Sequence, residues 1–274
     1  MQLHPEHRNI AYGSHKRQVF DIYRGMGTDP SPAFVYFHGG GYTGGDKSSI
    51  HHRLAARLCM EGITFVSANY RLSDDPEFLA PLHDAARVLQ FLRQQAADYH
   101  LDPAAVGVGG SSAGAASACW LALKPNPGIR CVAVTQAQTT LDPRAIRALI
   151  PGPTWRFSSY QKLHRLTPEQ YDLPEHAAQL AALDFLANVP ADAPPFFLWN
   201  RTPDLPLTPD LEPSPGIHHP VFGRALKGKL DPLGIECILR PRESYPNVEG
   251  EELEAFLLSD AGDFLVRHLL NKNA

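Results

Sequence analysis

From Val19 to about Leu121, short apolar runs alternate with segments whose apolar residues fall at helical spacing. Ala33–Phe37, Gly62–Tyr70 and Ala105–Gly109 read as strands. Gly128–Val134 continues the series as a fourth. Between them Ile50–Leu58, Leu82–Ala97 and Ala113–Leu123 read as helices; in the second, Leu82, Ala85, Val88, Leu89 and Leu92 share one face. Runs this apolar are buried on both faces, which parallel strands with helical crossovers achieve. Right-handed crossovers then place helices on both sides of the sheet. The expected class is α/β, with a mostly parallel central sheet flanked by helices.

The rhythm stops between Leu141 and about Val189. That stretch is polar, with helical character expected over Thr167–Leu180 and Ala178–Ala187. It reads as a helical insertion, about 141–190, before the last two strands of one domain spanning 1–274. The rhythm resumes with a strand at Pro195–Trp199, a helix at Val221–Leu230, a strand at Gly234–Leu239 and an amphipathic helix at Glu251–Leu270.

Composition narrows the function classes. With 25 Lys+Arg against 29 Asp+Glu the net charge is −4, not the concentrated basic surface that nucleic acid requires. No run approaches the ~18 apolar residues of a membrane span. No leader is readable from Met1-Gln2-Leu3-His4-Pro5, so a cytoplasmic location is expected. Cys59, Cys119, Cys131 and Cys237 stand in apolar surroundings and read as buried free thiols. Neither Cys-x-x-Cys nor His-Glu-x-x-His occurs, so no metal and no cofactor is expected. Proline is over-represented: 25 in 274 residues, about half of them from Pro190 to Pro246.

Two motifs carry chemistry. Gly110-Ser111-Ser112-Ala113-Gly114 follows one expected strand and opens an expected helix, the setting of a nucleophile elbow. Small neighbours let strand and helix approach, and the serine hydroxyl stands above the sheet. His38-Gly39-Gly40-Gly41 ends the Ala33–Phe37 strand. Acyl transfer builds negative charge on a carbonyl oxygen, and backbone N–H groups must wait for it there. As a phosphate cradle the loop lacks the Lys-Ser/Thr ending, since Lys47 comes six residues after Gly41.

With His38-Gly39-Gly40-Gly41-Tyr42, Gly45-Asp46-Lys47-Ser48, Asn69-Tyr70-Arg71-Leu72 and Gly110-Ser111-Ser112-Ala113-Gly114 in place, the chain resembles an α/β-hydrolase. Among these it is similar to the hormone-sensitive-lipase-like and BD-type feruloyl-esterase-like carboxylesterases. The resemblance covers the chain apart from the insertion. It implies Ser112 as nucleophile, the amides of Gly40, Gly41 and Ala113 as oxyanion hole, and a triad ordered Ser, Asp, His.

The resemblance places the acid just after the strand that follows the insertion, where Asp204 matches and Asp210 lies six residues further on. A Pro-Asp turn is the plainer reading of Asp204. The base departs from the pattern. After Leu239 the chain reads Arg240-Pro241-Arg242-Glu243-Ser244-Tyr245-Pro246-Asn247, with Tyr245 or a neighbour where the histidine is expected. Tyrosine, with a reference pKa near ~10, is a weak base at neutral pH. His268 lies mid-helix and reads as a surface or packing residue. The best substitutes are His218 and His219, expected to open the helix after the acid loop on the active edge of the sheet. His51 and His52 read as a solvated first helical turn.

Trp155, Phe157 and Tyr160 form an aromatic cluster in the insertion, read as a lid or as local packing. Gln136, Gln138, Thr139 and Thr140, just past a strand end, are candidates for orienting a substrate. Two functions follow. One is a carboxylic-ester hydrolase acting on a small-molecule ester through a Ser112 acyl-enzyme. The other is a degenerate hydrolase that binds a carbonyl ligand or a partner without turnover. The sequence sets neither the oligomeric state nor the substrate.

Overall fold

In a computed structural model, which describes residues 3–27 and 29–270, the apolar runs assemble into one eight-stranded sheet. Met1 and Gln2, at the head of the stretch read for a leader, lie outside the described residues. The strands are β1 (His7–Ala11), β2 (Val19–Tyr23), β3 (Ser31–Phe37), β4 (Thr64–Ala68), β5 (Leu101–Ser111), β6 (Val132–Thr135), β7 (Phe196–Trp199) and β8 (Cys237–Arg240), in spatial order β1-β2-β4-β3-β5-β6-β7-β8. The pairs β1–β2 and β2–β4 are antiparallel and the rest parallel.

Alternation along β3 shows why the runs are apolar throughout. Ala33, Val35 and Phe37 enter one core, while Phe34 and Tyr36 enter the other. The first core is covered by α2 (Ala80–Gln94), α3 (Ala113–Ala122) and α8 (Val221–Leu230). The second is covered by α1 (His52–Met60) and α9 (Gly250–Leu269). Every residue of α3 is buried, and its run of Ala, Gly and Ser permits that close seat on the sheet. All four cysteines are buried free thiols. No described helix is long and apolar enough to cross a membrane.

The antiparallel pair β1–β2 was not foreseen. His7-Arg8-Asn9-Ile10-Ala11 is an edge strand with little apolar content, and Asp21 interrupts β2. Asp21 is buried, and its carboxylate accepts from Lys47 Nζ at 2.7 Å.

The insertion contains α4 (Pro143–Leu149), α5 (Ser158–His164) and α6 (Ala177–Ala181), with 3-10 turns at Pro153–Arg156, Pro168–Gln170 and Pro174–His176. The long helices expected over Thr167–Leu180 and Ala178–Ala187 do not form. Pro168 and Pro174 each open a turn, and a helix continued through Pro174 would lose an i→i−4 bond there. A short helix α7 (Pro213–Ile217) precedes α8. His218 therefore closes one helix, where it was expected to open the next.

Register fixes the position of the site. Phe37 pairs with both Ala68 and Gly110, Ser111 with Thr135, Thr135 with Trp199, and Trp199 with Arg240. The C-terminal ends of the parallel strands are thus level, and the loops that leave them share one edge. In open α/β sheets that edge is where ligands bind.

Candidate active site

Ser112 stands between β5 and α3 at φ 51°, ψ −117°. A non-glycine residue so far from the common regions costs on the order of 1–3 kcal/mol and needs its surroundings to hold it. Its N–H donates to the Thr135 carbonyl (3.0 Å), and its own carbonyl accepts from Ala116 N–H (2.9 Å). Gly114 makes the turn possible: a Cβ there would lie 2.0 Å from the Phe37 carbonyl oxygen. The turn thus depends on contact with the end of β3, where the other motif begins.

The glycine loop lies directly against Ser112. A Cβ placed on Gly39 would fall 3.6 Å from the Ser112 Cβ. Gly40 (φ 119°) and Gly41 (φ 60°) adopt backbone that side chains resist. The turn bonds of this loop run from the Thr43 and Gly44 amides to the Gly40 carbonyl. Among the described residues, the Gly40 and Gly41 N–H groups have no backbone acceptor. Ala113 N–H sits at the N-terminus of α3, where the helix dipole favours negative charge.

The other motif residues hold this loop. His38 is fully buried and stacks on Tyr70 with ring centroids 4.3 Å apart. Its Nδ1 lies 2.6 Å from the Gly39 carbonyl and its Nε2 3.2 Å from an Arg17 guanidinium nitrogen. The imidazole is therefore neutral, donating from Nδ1 and accepting at Nε2, and burial pulls its pKa down to about 4. Tyr70 Oη donates to the His38 carbonyl (2.6 Å). The Asn69 side chain accepts from Lys47 N–H and donates to Asp46, tying the Gly45–Ser48 segment to β4. Arg17 escaped the sequence reading, since no motif marks it.

His218 Nε2 lies 2.9 Å from Ser112 Oγ, across 106 residues of chain. Burial pulls this imidazole below the ordinary histidine value, with no charged group among the described residues drawing it back up. His219, beside it, points elsewhere. It is fully buried, with Nε2 2.8 Å from the Leu205 carbonyl and Nδ1 accepting from Val221 N–H at 3.0 Å. It pins the loop after β7 to the start of α8.

Asp204 does not stand behind His218. Its carboxylate is gripped by the Arg224 guanidinium at 2.5 and 3.1 Å and lies 3.4 Å from His219 Nε2. Its N–H donates to Glu243 (2.8 Å). The residue is exposed, and its carboxylate is committed to Arg224 on α8. Asp210 is exposed on the same loop. Tyr245, at the place expected for the histidine, stacks on Phe256 and donates to Asp260 (2.6 Å). His268 contacts Glu236 and the Phe264 ring. His51 lies between Glu254 and the rings of Tyr36 and Trp199, not in the solvated turn expected of it.

The polar residues past β6 are turned inward. Gln138, Thr139 and Thr140 are all buried. Gln138 Nε2 donates to the Gln136 and Ile217 carbonyls, and Thr139 Oγ1 to Phe222. Gln136 reaches Thr202 (3.0 Å). The role of orienting a substrate does not fit these buried donors, whose hydrogens are taken by main-chain carbonyls. The insertion meets both the glycine loop and α7, which leads into His218. Cβ atoms built on Gly41 and Gly216 would lie 2.7 Å from Ser159 Oγ and 2.0 Å from Thr154 Oγ1, respectively.

A family profile described as BD-FAE matches residues 20–145. A probable carboxylic ester hydrolase of Mycobacterium tuberculosis, LipM, is 28% identical over 206 residues, 69% of this chain and 46% of the relative. Esterase LipQ of the same organism is 26% identical over 74% of this chain and 50% of its own length. The chain thus spans about half the length of these curated relatives. Among solved structures, a truncated carbohydrate esterase from gut microbiota superposes with a TM-score of 0.71 at 16% identity, covering 96% of this chain and 95% of that one. Thermogutta terrifontis esterase 2 phosphonylated by sarin gives 0.70 at 19% identity, with 96% and 95% covered. Strand order, elbow and glycine loop agree with these matches: the protein has the α/β-hydrolase fold and resembles the carboxylesterase group built on it.

Proposed function

We propose that the protein is a serine carboxylic-ester hydrolase acting on a small-molecule ester, with Ser112 as nucleophile and His218 as base. One observation carries the reading: the 2.9 Å approach of His218 Nε2 to Ser112 Oγ on a strained elbow. A serine hydroxyl is a poor nucleophile until a base accepts its proton. The neutral imidazole takes that proton as Oγ bonds to the ester carbonyl carbon. The carbonyl π pair moves onto oxygen, facing the amides of Gly40, Gly41 and Ala113. Collapse of the tetrahedral adduct breaks the bond to the alcohol oxygen, which leaves with the proton from His218. Water then adds to the acyl-enzyme, giving its proton to His218, and the second collapse returns that proton to Ser112 Oγ and frees the acid.

The reading as a degenerate hydrolase drew its force from the missing histidine after β8. A half-buried imidazole beside Ser112 supplies what that reading lacked, and LipM and LipQ, both named as ester hydrolases, favour turnover.

The test is a fluorophosphonate serine probe together with a short-chain aryl ester. Stoichiometric labelling lost in Ser112→Ala, with hydrolysis lost in both Ser112→Ala and His218→Ala, is the expected result. A wild-type protein that neither labels nor turns over at neutral pH overturns it.

A further inference from the structure

His218 serves as the base in the reading above, and the inference drawn now rests on that assignment. A catalytic histidine must present one nitrogen to the nucleophile. In Ser-His-Asp enzymes a buried carboxylate on the far side of the ring does this. Here the nearby carboxylate, Asp204, is held by Arg224 and His219. Something else must aim the ring.

The two peptide units flanking His218 are each held by a buried side-chain amide. Gln138 Nε2 donates to the Ile217 carbonyl at 2.6 Å, and Asn200 Nδ2 to the His218 carbonyl at 3.0 Å. Both donors are 3% exposed. Asn200 directly follows β7, and Gln138 lies three residues beyond the end of its parallel neighbour β6. The second Nε2 hydrogen of Gln138 goes to the Gln136 carbonyl (2.9 Å), and the Asn200 main-chain N–H goes to the Arg240 carbonyl (3.0 Å), so the Gln138 side chain and the Asn200 backbone are themselves anchored. Fixing both peptide planes around one residue fixes its φ and ψ, and with them the Cα–Cβ direction. His218 is held at φ −110°, ψ 12°, in the sparsely populated bridge region. As the residue that closes α7, His218 has its own N–H bonded to the Pro215 carbonyl (3.2 Å), and the two amides fix the carbonyls on either side of it.

We propose that Gln138 and Asn200 are positioning residues for the base: they aim His218 at Ser112 through its main chain, in place of a carboxylate acting on its ring. They touch neither substrate nor reacting atoms. Misplacing a catalytic group by ~1 Å costs up to about 100-fold in rate. Loss of either amide is therefore expected to lower kcat and leave ester binding unchanged.

The test compares Gln138→Met and Asn200→Leu with Thr139→Val. Thr139→Val also removes a buried donor at the end of β6, but its partner is the Phe222 carbonyl in α8 (2.8 Å). Both amide variants are expected to lose about 10- to 100-fold in kcat with KM within about twofold, while Thr139→Val loses thermal stability with kcat within about twofold. Should an apolar variant fail to fold, Gln138→Glu or Asn200→Asp keeps the shape and sets an acceptor against the carbonyl when ionised, so the loss in kcat is expected to grow as the new carboxyl deprotonates and is read from the pH profile. Unchanged kcat in the amide variants, with His218→Ala inactive, overturns the positioning role and leaves the base assignment standing. Equal kcat losses in Thr139→Val and the amide variants also overturn it. An active His218→Ala overturns base and mount together.

Discussion

The loops on the active edge fall into two groups built on different logic. The elbow and glycine loop, on β5 and β3, are each a contiguous run of sequence, and their strand ends touch: Gly114 leaves no room for a Cβ against Phe37. The loops after β7 and β8 are proline-rich, carry the residues expected of acid and base, and use them otherwise. Asp204 and Tyr245 are engaged with Arg224 and Asp260, while His218, from a place where the fold family does not usually put its histidine, meets Ser112. In the proposed function the first group makes a nucleophile and an oxyanion pocket by local geometry. The second supplies only a proton acceptor, a looser demand that more than one loop can meet.

The largest effects break the contrast at its junction. Ser112→Ala and His218→Ala are each expected to lower kcat by on the order of 10⁴-fold or more, measured on an aryl ester against the intact protein. Near-wild-type kcat in His218→Ala would return the base to the second group's other residues. On the first group, Gly114→Val drives a side chain into the Phe37 carbonyl. Its expected cost, about 3 kcal/mol or more, is read as a lowered midpoint in urea. An unchanged midpoint would mean that the elbow does not depend on that close approach.

The acid sharpens the comparison. If Asp204 polarised the base, Asp204→Asn would cost about 10⁴-fold. Here its carboxylate holds Arg224 and faces His219, so the expected loss in kcat is under about 10-fold. Tyr245→Phe removes only the hydrogen bond to Asp260 and is expected to leave kcat within about twofold.

The pH dependence separates the groups once more. His218 acts as a base only when neutral, and burial holds its pKa below the ordinary value, so kcat/KM should persist below pH ~6.5 before falling. An acid limb at or above that value would contradict the half-buried, carboxylate-free setting. His38 and His164 are both buried, with pKa values lowered to about 4. Each binds its proton in the unfolded chain first. Stability is therefore complete above the unfolded value and declines as pH falls towards about 4, by on the order of 3 kcal/mol for each histidine. Urea midpoints across that range check it.

Legibility followed locality. The strands β3 to β8 were readable because burial on both faces leaves an uninterrupted apolar signature. The edge strand His7–Ala11 was not, because it buries little. In the insertion, helical spacing over Thr167–Leu180 outweighed the prolines in the reading, although Pro174 breaks the helix. The inward use of Gln138 and Asn200 left no pattern, since an amide at a strand end looks the same whether it faces substrate or a carbonyl of the chain.

By itself the sequence determined the α/β-hydrolase sheet, the elbow at Ser112 and the glycine loop at His38–Gly41, because each is specified by neighbours a few residues apart. It also offered His218 and His219 as the best substitutes for the base missing after β8. Only the tertiary structure separated those two. Adjacent residues point in different directions, and which imidazole reaches a serine 106 residues away depends on how distant parts of the chain pack around the end of α7.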